Sequence, residues 1–97
     1  MREESSLLLE FTPRFNKRRN AAPAEIKTAL LETLELFIEN PNHPQLRNHQ
    51  LKGKYAAYRS IDVSPDWRAL FKTKKGAKQT TVKFYTLGTH TQLYGKI

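Results

Sequence analysis

The sequence predicts an α+β domain in which an N-terminal strand and two helices pack on one face of an antiparallel β-sheet. Three observations predict it. A short apolar run, LLLEFT, stands at residues 7–12; an amphipathic helical pattern runs from Pro23 to Asn40; and after Gly53 the periodicity changes to that of strands separated by turn residues. The 97 residues suffice for one core but not for two, so a single domain spanning residues 1–97 is expected.

The elements follow in order. LLLEFT suits a strand, and Thr12 before Pro13 suits the N-cap and first turn of a helix, here a short basic one carrying Arg14, Lys17, Arg18 and Arg19. In the next segment Ile26, Ala29, Leu30, Leu34, Phe37 and Ile38 recur at steps of three and four, with Glu25, Lys27, Glu32, Glu35 and Glu39 between them. Pro41 ends that helix near Asn40. The stretch NPNHPQLRNHQLKGK has too many Asn and Pro residues for regular structure. YAAYRSIDV and WRALFKT then read as a hairpin, with Pro65 and Asp66 at the centre of a type I turn. Beyond a polar loop at Gly76, TTVKFYTL is β-branched and aromatic enough for a last strand.

Composition narrows the function. No cysteine is present, which removes disulfides and thiolate metal sites. No apolar run approaches a membrane span, and MREESSLLLEFTP lacks the form of a signal peptide, so a soluble cytoplasmic protein without a membrane partner is expected. The formal net charge of +8 lies wholly in the second half: residues 1–50 carry seven basic and seven acidic side chains, residues 51–97 ten basic side chains against Asp62 and Asp66. A polyanion, nucleic acid first, is the natural partner, because neutralising phosphates releases counterions; a merely solvated basic face is the other reading.

No phosphate loop, zincin helix or nucleophile elbow occurs. The three histidines lack ligand spacing, so neither a metal nor another cofactor is expected. His49 and His90 flank the strand-rich half at its two ends, where an antiparallel sheet can bring both to one edge. Attack of an RNA 2′-hydroxyl on its own phosphodiester needs a base, an acid and cations, and imidazole serves as either proton-transfer group near neutrality. Lys52, Lys54, Arg59, Arg68 and Lys72 supply the cations. Each histidine alone suits an exposed loop better than a catalytic role, and only together do they gain weight, while Asp66 equally suits simple turn chemistry. Asp62 falls on the strand face of Tyr58 and Ser60, opposite Ile61 and Val63, and is expected to be exposed. Tyr58, Trp67, Tyr85 and Tyr94 can stack on bases or fill the core; Trp67, on the face of Ala69 and Phe71, is expected in the core.

Taken together, NHQLKGKYAAYRSIDVSPDWRALFK and GTHTQLYG resemble the YafQ branch of the RelE-like toxins of bacterial toxin–antitoxin modules. That family shows a His-x-Leu-x-Gly stretch, a Tyr-Arg strand, a Pro-Asp-Trp turn and a Gly-Thr-His-x-x-Leu-Phe/Tyr ending. The resemblance implies a RelE-like fold and a metal-independent mRNA endoribonuclease that acts on the 70S ribosome, inhibits translation and is restrained by a cognate antitoxin. It also implies catalytic roles for His49, Asp66 and His90, with Tyr94 beside them. Two departures bear on activity. The branch commonly has His at the place of Asp62, and Arg at the place of Thr86, so activity weakened or redistributed by these changes is expected. A non-catalytic or gyrase-directed ParE-like binding module on the same scaffold is the alternative.

Overall fold

In the computed structural model, which describes residues 6–94, the chain runs β1 (Ser6–Phe11), α1 (Pro13–Ala21), α2 (Ala24–Glu39), β2 (His49–Gln50), β3 (Arg59–Asp62), β4 (Trp67–Lys75), β5 (Gln79–Thr89) and α3 (His90–Tyr94). Residues 1–5 and Gly95, which closes the quoted C-terminal motif, lie outside the described residues. One sheet holds the strands in the order β1-β5-β4-β3-β2. The α+β class, the two helices and the β3–β5 meander match the sequence reading. The sense of one edge differs from it: β1 pairs with β5 in parallel, from Ser6 opposite Gln79 to Phe11 opposite Phe84, while the remaining pairs are antiparallel. β1 therefore delivers the chain to α1 at the same end of the sheet at which β5 delivers it to α3.

Both predicted helix boundaries hold for local reasons. Thr12 is extended and its hydroxyl accepts the Phe15 N–H at 3.0 Å, and Asn40 caps α2 just before Pro41. The buried stripe of α2 is Ile26, Leu30, Thr33, Leu34 and Phe37. Ile38, expected on that stripe, is instead exposed, as is Leu31. One step beyond Phe37 turns about 100° around the helix, which carries Ile38 off the buried arc, while Thr33 falls within it. The Asn- and Pro-rich connection also holds more structure than expected. A 3-10 turn at Pro44–Leu46, capped by the His43 ring, buries Leu46, and His49–Gln50 form the two-residue β2. Conversely, Tyr55, read as the start of a strand, ends a second 3-10 turn, Gly53–Tyr55, that begins at Gly53 (φ 66°), a backbone conformation that suits glycine.

All five phenylalanines of the chain meet in the core. Phe84 stands at their centre, its ring 5.3–5.7 Å from those of Phe11, Phe15, Phe37 and Phe71, so one side chain of β5 touches β1, α1, α2 and β4. Val82 and Leu87 flank it, and Ile61, Val63, Ala69 and Phe71 extend the same face through β3 and β4, with Trp67 partly buried against it.

Strict alternation along β5 would send Thr86, not Leu87, into this core. A bulge prevents that: Leu70 pairs with Thr86 and Phe71 with Phe84, leaving Tyr85 as the extra residue. Because β1 ends at Phe11, the carbonyls of β5 beyond that point need other donors. The Thr12 hydroxyl donates to the Tyr85 carbonyl at 2.8 Å and Arg18 Nε to the Leu87 carbonyl at 2.9 Å, so α1 braces the end of β5.

Phe84→Ala is expected to destabilise the fold by about 3–5 kcal/mol, the range for deleting a buried aromatic ring. Ile38→Ala, on the exposed side of α2, should change stability by less than about 0.5 kcal/mol. Urea denaturation followed by circular dichroism measures both.

Candidate active site

The sheet has a second face, and register assembles a site on it. His49 of β2 lies directly opposite Ser60 of β3, Ser60 opposite Leu70 of β4, and Leu70 opposite Thr86 of β5. The adjacent row runs from Asp62 through Arg68 to Gly88. Directly opposed residues share a face. Over these rows lies an open cleft of about 390 Å³ lined by His49, Lys52, Tyr55, Ser60, Arg68, His90 and Tyr94, with Arg47 and Leu51 at its margin. A larger cleft of about 500 Å³ lies between α2, the Pro44–Leu46 turn and the β3–β4 turn. It contains Arg47 and Asp62 but no imidazole, so the smaller one is the candidate site for proton transfer.

His49 is exposed, and its Nδ1 lies 2.7 Å from the Arg47 carbonyl. A carbonyl only accepts, so Nδ1 carries the proton, and in the neutral form of the ring the lone pair lies on Nε2. Arg47 can present that carbonyl because it closes the 3-10 turn in the left-handed region (φ 50°), the single non-glycine residue to do so among those described.

His90 owes its place to a capping box. The Thr89 hydroxyl accepts the Gln92 N–H at 3.1 Å and the Gln92 side-chain oxygen accepts the Thr89 N–H at 2.9 Å, which starts α3 as β5 ends. Gly88 makes room for this: a Cβ there would stand 2.5 Å from Arg18 Nη2 and 3.0 Å from the Gln92 side-chain oxygen. Within α3 the His90 ring meets that of Tyr94, four residues on, edge to face at 4.8 Å. Tyr94 meets Tyr55 at 5.3 Å, and the Tyr55 hydroxyl donates to the Leu93 carbonyl at 3.2 Å. The 3-10 turn at residues 53–55 thereby holds α3 against the sheet. Burial raises the Tyr94 pKa above the ordinary value of 10.0; the Ser60 hydroxyl and Arg68 oppose the rise and Tyr55 adds to it. A phenol is protonated at neutral pH in any case, and the rise moves its ionisation further into the alkaline range.

The structure thus gathers His49, His90, Tyr94, Lys52 and Arg68 from the sequence-derived set. Asp66 stands exposed in the Ser64–Trp67 turn and does not line the cleft. Arg59 is tied to the Asn48 side chain at 2.8 Å, Lys54 lies over the Tyr55 ring, and Lys72 lies over the rings of both Tyr58 and Tyr85, away from the histidines. Asp62 is on the predicted face, yet its expected exposure is wrong. Its side chain is 16% exposed, because Arg68 Nε at 3.1 Å and Arg47 Nε at 3.5 Å enclose it. Sequence reasoning missed Arg47, Tyr55, Ser60 and α3. The Thr-His-Thr-Gln spacing of a capping box was a readable signal for α3; nothing local marked the others.

The family model for the "bacterial toxin of type II toxin–antitoxin system, YafQ" matches residues 8–95. Among solved structures, YafQ of E. coli is 26% identical, with 90% of this chain and 97% of that one covered and a TM-score of 0.72. The E. coli DinJ–YafQ complex matches at 26% identity, the same coverage and a TM-score of 0.61. A Helicobacter pylori protein solved in solution is 25% identical over 91% of this chain and 99% of its own, with a TM-score of 0.68. No curated protein matches the sequence significantly. The α+β architecture is accordingly that of the RelE/YafQ-like toxins. Among the described residues no helix is long and apolar enough to cross a membrane.

The raised Tyr94 pKa has a sign that can be tested. Stability contributed by the neutral phenol is fully present below a pH of about 10, the unfolded value, and is lost as pH rises through the higher folded value. Tyr94→Phe should therefore flatten the alkaline limb of the stability profile and remove one raised tyrosinate step from an absorbance titration.

Proposed function

The chain belongs to the YafQ family of toxins of bacterial type II toxin–antitoxin systems, and from that footing we propose that it is an endoribonuclease cutting mRNA on the ribosome, inhibiting translation until a cognate antitoxin covers it. The observation that carries the reading is the meeting of two imidazoles, from opposite ends of the strand-rich half, over one cleft with Lys52 and Arg68. The DinJ–YafQ complex supports the antitoxin partner. The +8 charge and the spread of lysines along β4 and β5 support docking on an RNA surface.

The chemistry is transesterification without a metal. His49, with its Nε2 lone pair available, removes the 2′-hydroxyl proton. The 2′-oxygen then bonds to phosphorus while the bond from phosphorus to the 5′-oxygen breaks, and His90 gives that oxygen its proton. A 2′,3′-cyclic phosphate and a 5′-hydroxyl result, so atoms and charge balance without a co-reactant. Tyr94, neutral and edge-on to His90, fixes the ring and supplies an aromatic wall for a base. Asp66, outside the cleft, receives no proton-transfer role in this scheme.

His90→Ala is expected to lower cleavage by roughly 10²–10⁴-fold on programmed ribosomes, read by mapping mRNA 5′ ends at matched occupancy. His49→Ala should fall similarly, and the double variant should lose less than the product of the single losses because the pair acts as a unit. His43 caps a 3-10 turn, so His43→Asn, which keeps an acceptor there, is the suitable control and should cut normally. Full cleavage by His90→Ala would favour the binding-module reading instead.

Docking has a separate signature. Replacing Lys52, Lys54 and Lys72 together by Ala should weaken ribosome binding and lower its logarithmic salt slope by about one unit for every phosphate that is no longer neutralised. An unchanged slope would make these lysines mere solvated surface.

A further inference from the structure

We propose that Arg18 of α1 is a positioning residue for His90: its guanidinium, seated in the notch that Gly88 leaves between the end of β5 and Gln92, fixes where α3 begins and so where the proton donor stands. The inference rests on the endoribonuclease reading and adds to that site a residue that does not line the cleft. Arg18 Nε donates to the Leu87 carbonyl at 2.9 Å. Its Nη2 reaches the next residue: a Cβ on Gly88 would stand 2.5 Å from Nη2, 3.0 Å from the Gln92 side-chain oxygen and 3.2 Å from Gln92 Cβ. Arg18 and Gln92 therefore close over one Cα from two sides, and glycine leaves room for both. The same Gln92 oxygen accepts the Thr89 N–H that starts α3, and His90 is the residue that follows.

Stability alone gives no reason for a guanidinium in this place. Among the described residues Nη2 is buried and has no hydrogen-bond partner, and an unsatisfied buried donor lowers stability, a charged one most of all. An aliphatic side chain would fill the notch without that penalty. What the guanidinium adds is a fixed shape. Nε and Nη2 share one edge of a rigid plane, so the bond to Leu87 sets Nη2 over Gly88. The stem is fixed as well: Phe15, one turn before Arg18, is fully buried and its ring lies 5.6 Å from that of Phe84. α3 has no such anchor, since none of its five residues is buried. The place of the proton donor is thus passed from the aromatic core through α1 and Arg18 to the end of β5, and from there along consecutive residues to His90.

The test separates positioning from folding. On programmed ribosomes at matched occupancy, Arg18→Met, which keeps the stem and removes the charged head, should cut roughly 10- to 10²-fold more slowly at unchanged ribosome affinity, the cost of misplacing a catalytic group by about 1 Å. Arg18→Lys, which still reaches the Leu87 carbonyl, should recover part of the rate. In a His90→Ala background Arg18→Met should cost less than threefold more, because a donor's place cannot matter once the donor is gone, whereas a loss of folding would appear in both backgrounds. Gly88→Ala, whose methyl displaces the same guanidinium, should slow cleavage too, and by less when Arg18 is already Met; it carries the same comparison if the methionine variant is unfolded. In the free protein, Arg18→Met should shift the His90 ring NMR signals and speed exchange of the Gln92 N–H while leaving the His49 ring signals in place. An Arg18→Met rate within threefold of wild type, an equal further loss in the His90→Ala background, or unmoved His90 signals overturns the inference. A wild-type chain that cuts nothing while Arg18→Met still moves His90 overturns the endoribonuclease reading and upholds the positioning.

Discussion

The contact on which the rest depends is the packing of Phe84 against the four other phenylalanines. Each comes from a different element, so the burial of one ring fixes the height of both helices over the sheet and the register of β5 between β1 and β4. Aromatic clusters tolerate little sliding, because offset and edge-to-face geometries weaken over small displacements. The consequence reaches the other face. With Phe84 anchored, the bulge at Tyr85 puts Leu87 in the core and Thr86 and Gly88 in rows with Leu70 and Arg68, and β5 ends where the Thr89–Gln92 box can place His90.

The two faces of the sheet thus differ in character. The helix-covered face is apolar and closed. The other carries buried Ser60 and Leu70 beneath a lid made from α3 and the 3-10 turn at residues 53–55, with polar and aromatic side chains above them. Few apolar contacts hold that lid, since α3 has five residues and none of them is buried. Its order comes from a capping box, one tyrosine hydroxyl bond and two ring contacts. Such elements sit at the low-stability end of a fold, where local opening is cheapest, so His90 is held less firmly than the strand that delivers it.

This division explains what could be read from the sequence. Both long helices were legible because their caps are local: Thr12 with Pro13 at one end, Asn40 with Pro41 at the other. The β3–β5 meander was legible because a Ser-Pro-Asp turn and a glycine loop punctuate β-branched runs. His49 and His90 stand out in the sequence as the imidazoles flanking that meander, and the cleft holds both. Three things were hidden. The parallel pairing of β1 is a long-range choice that no local pattern encodes. The burial of Asp62 depends on Arg47, which reaches it from a left-handed turn, and propensity gives arginine no preference for that conformation. Tyr55 was hidden because its partner, the Leu93 carbonyl, is 38 residues away in sequence.

The enclosed carboxylate also answers an electrostatic difficulty raised by the composition. Ten cations against two anions in residues 51–97 suit a polyanion partner, but cations crowded into one cleft repel each other before the partner arrives. Asp62 offsets that repulsion at the point where Arg47 and Arg68 approach each other. Of its two contacts, the one to Arg47 at 3.5 Å involves a side chain 69% exposed and contributes little net stability, whereas the one to Arg68 at 3.1 Å is largely shielded from water. The Arg68 contact, shielded from water, holds one guanidinium in place, whereas the solvated Arg47 side chain is held less firmly. The carboxylate that looks out of place in a basic half is therefore what allows the basic groups to be assembled in advance.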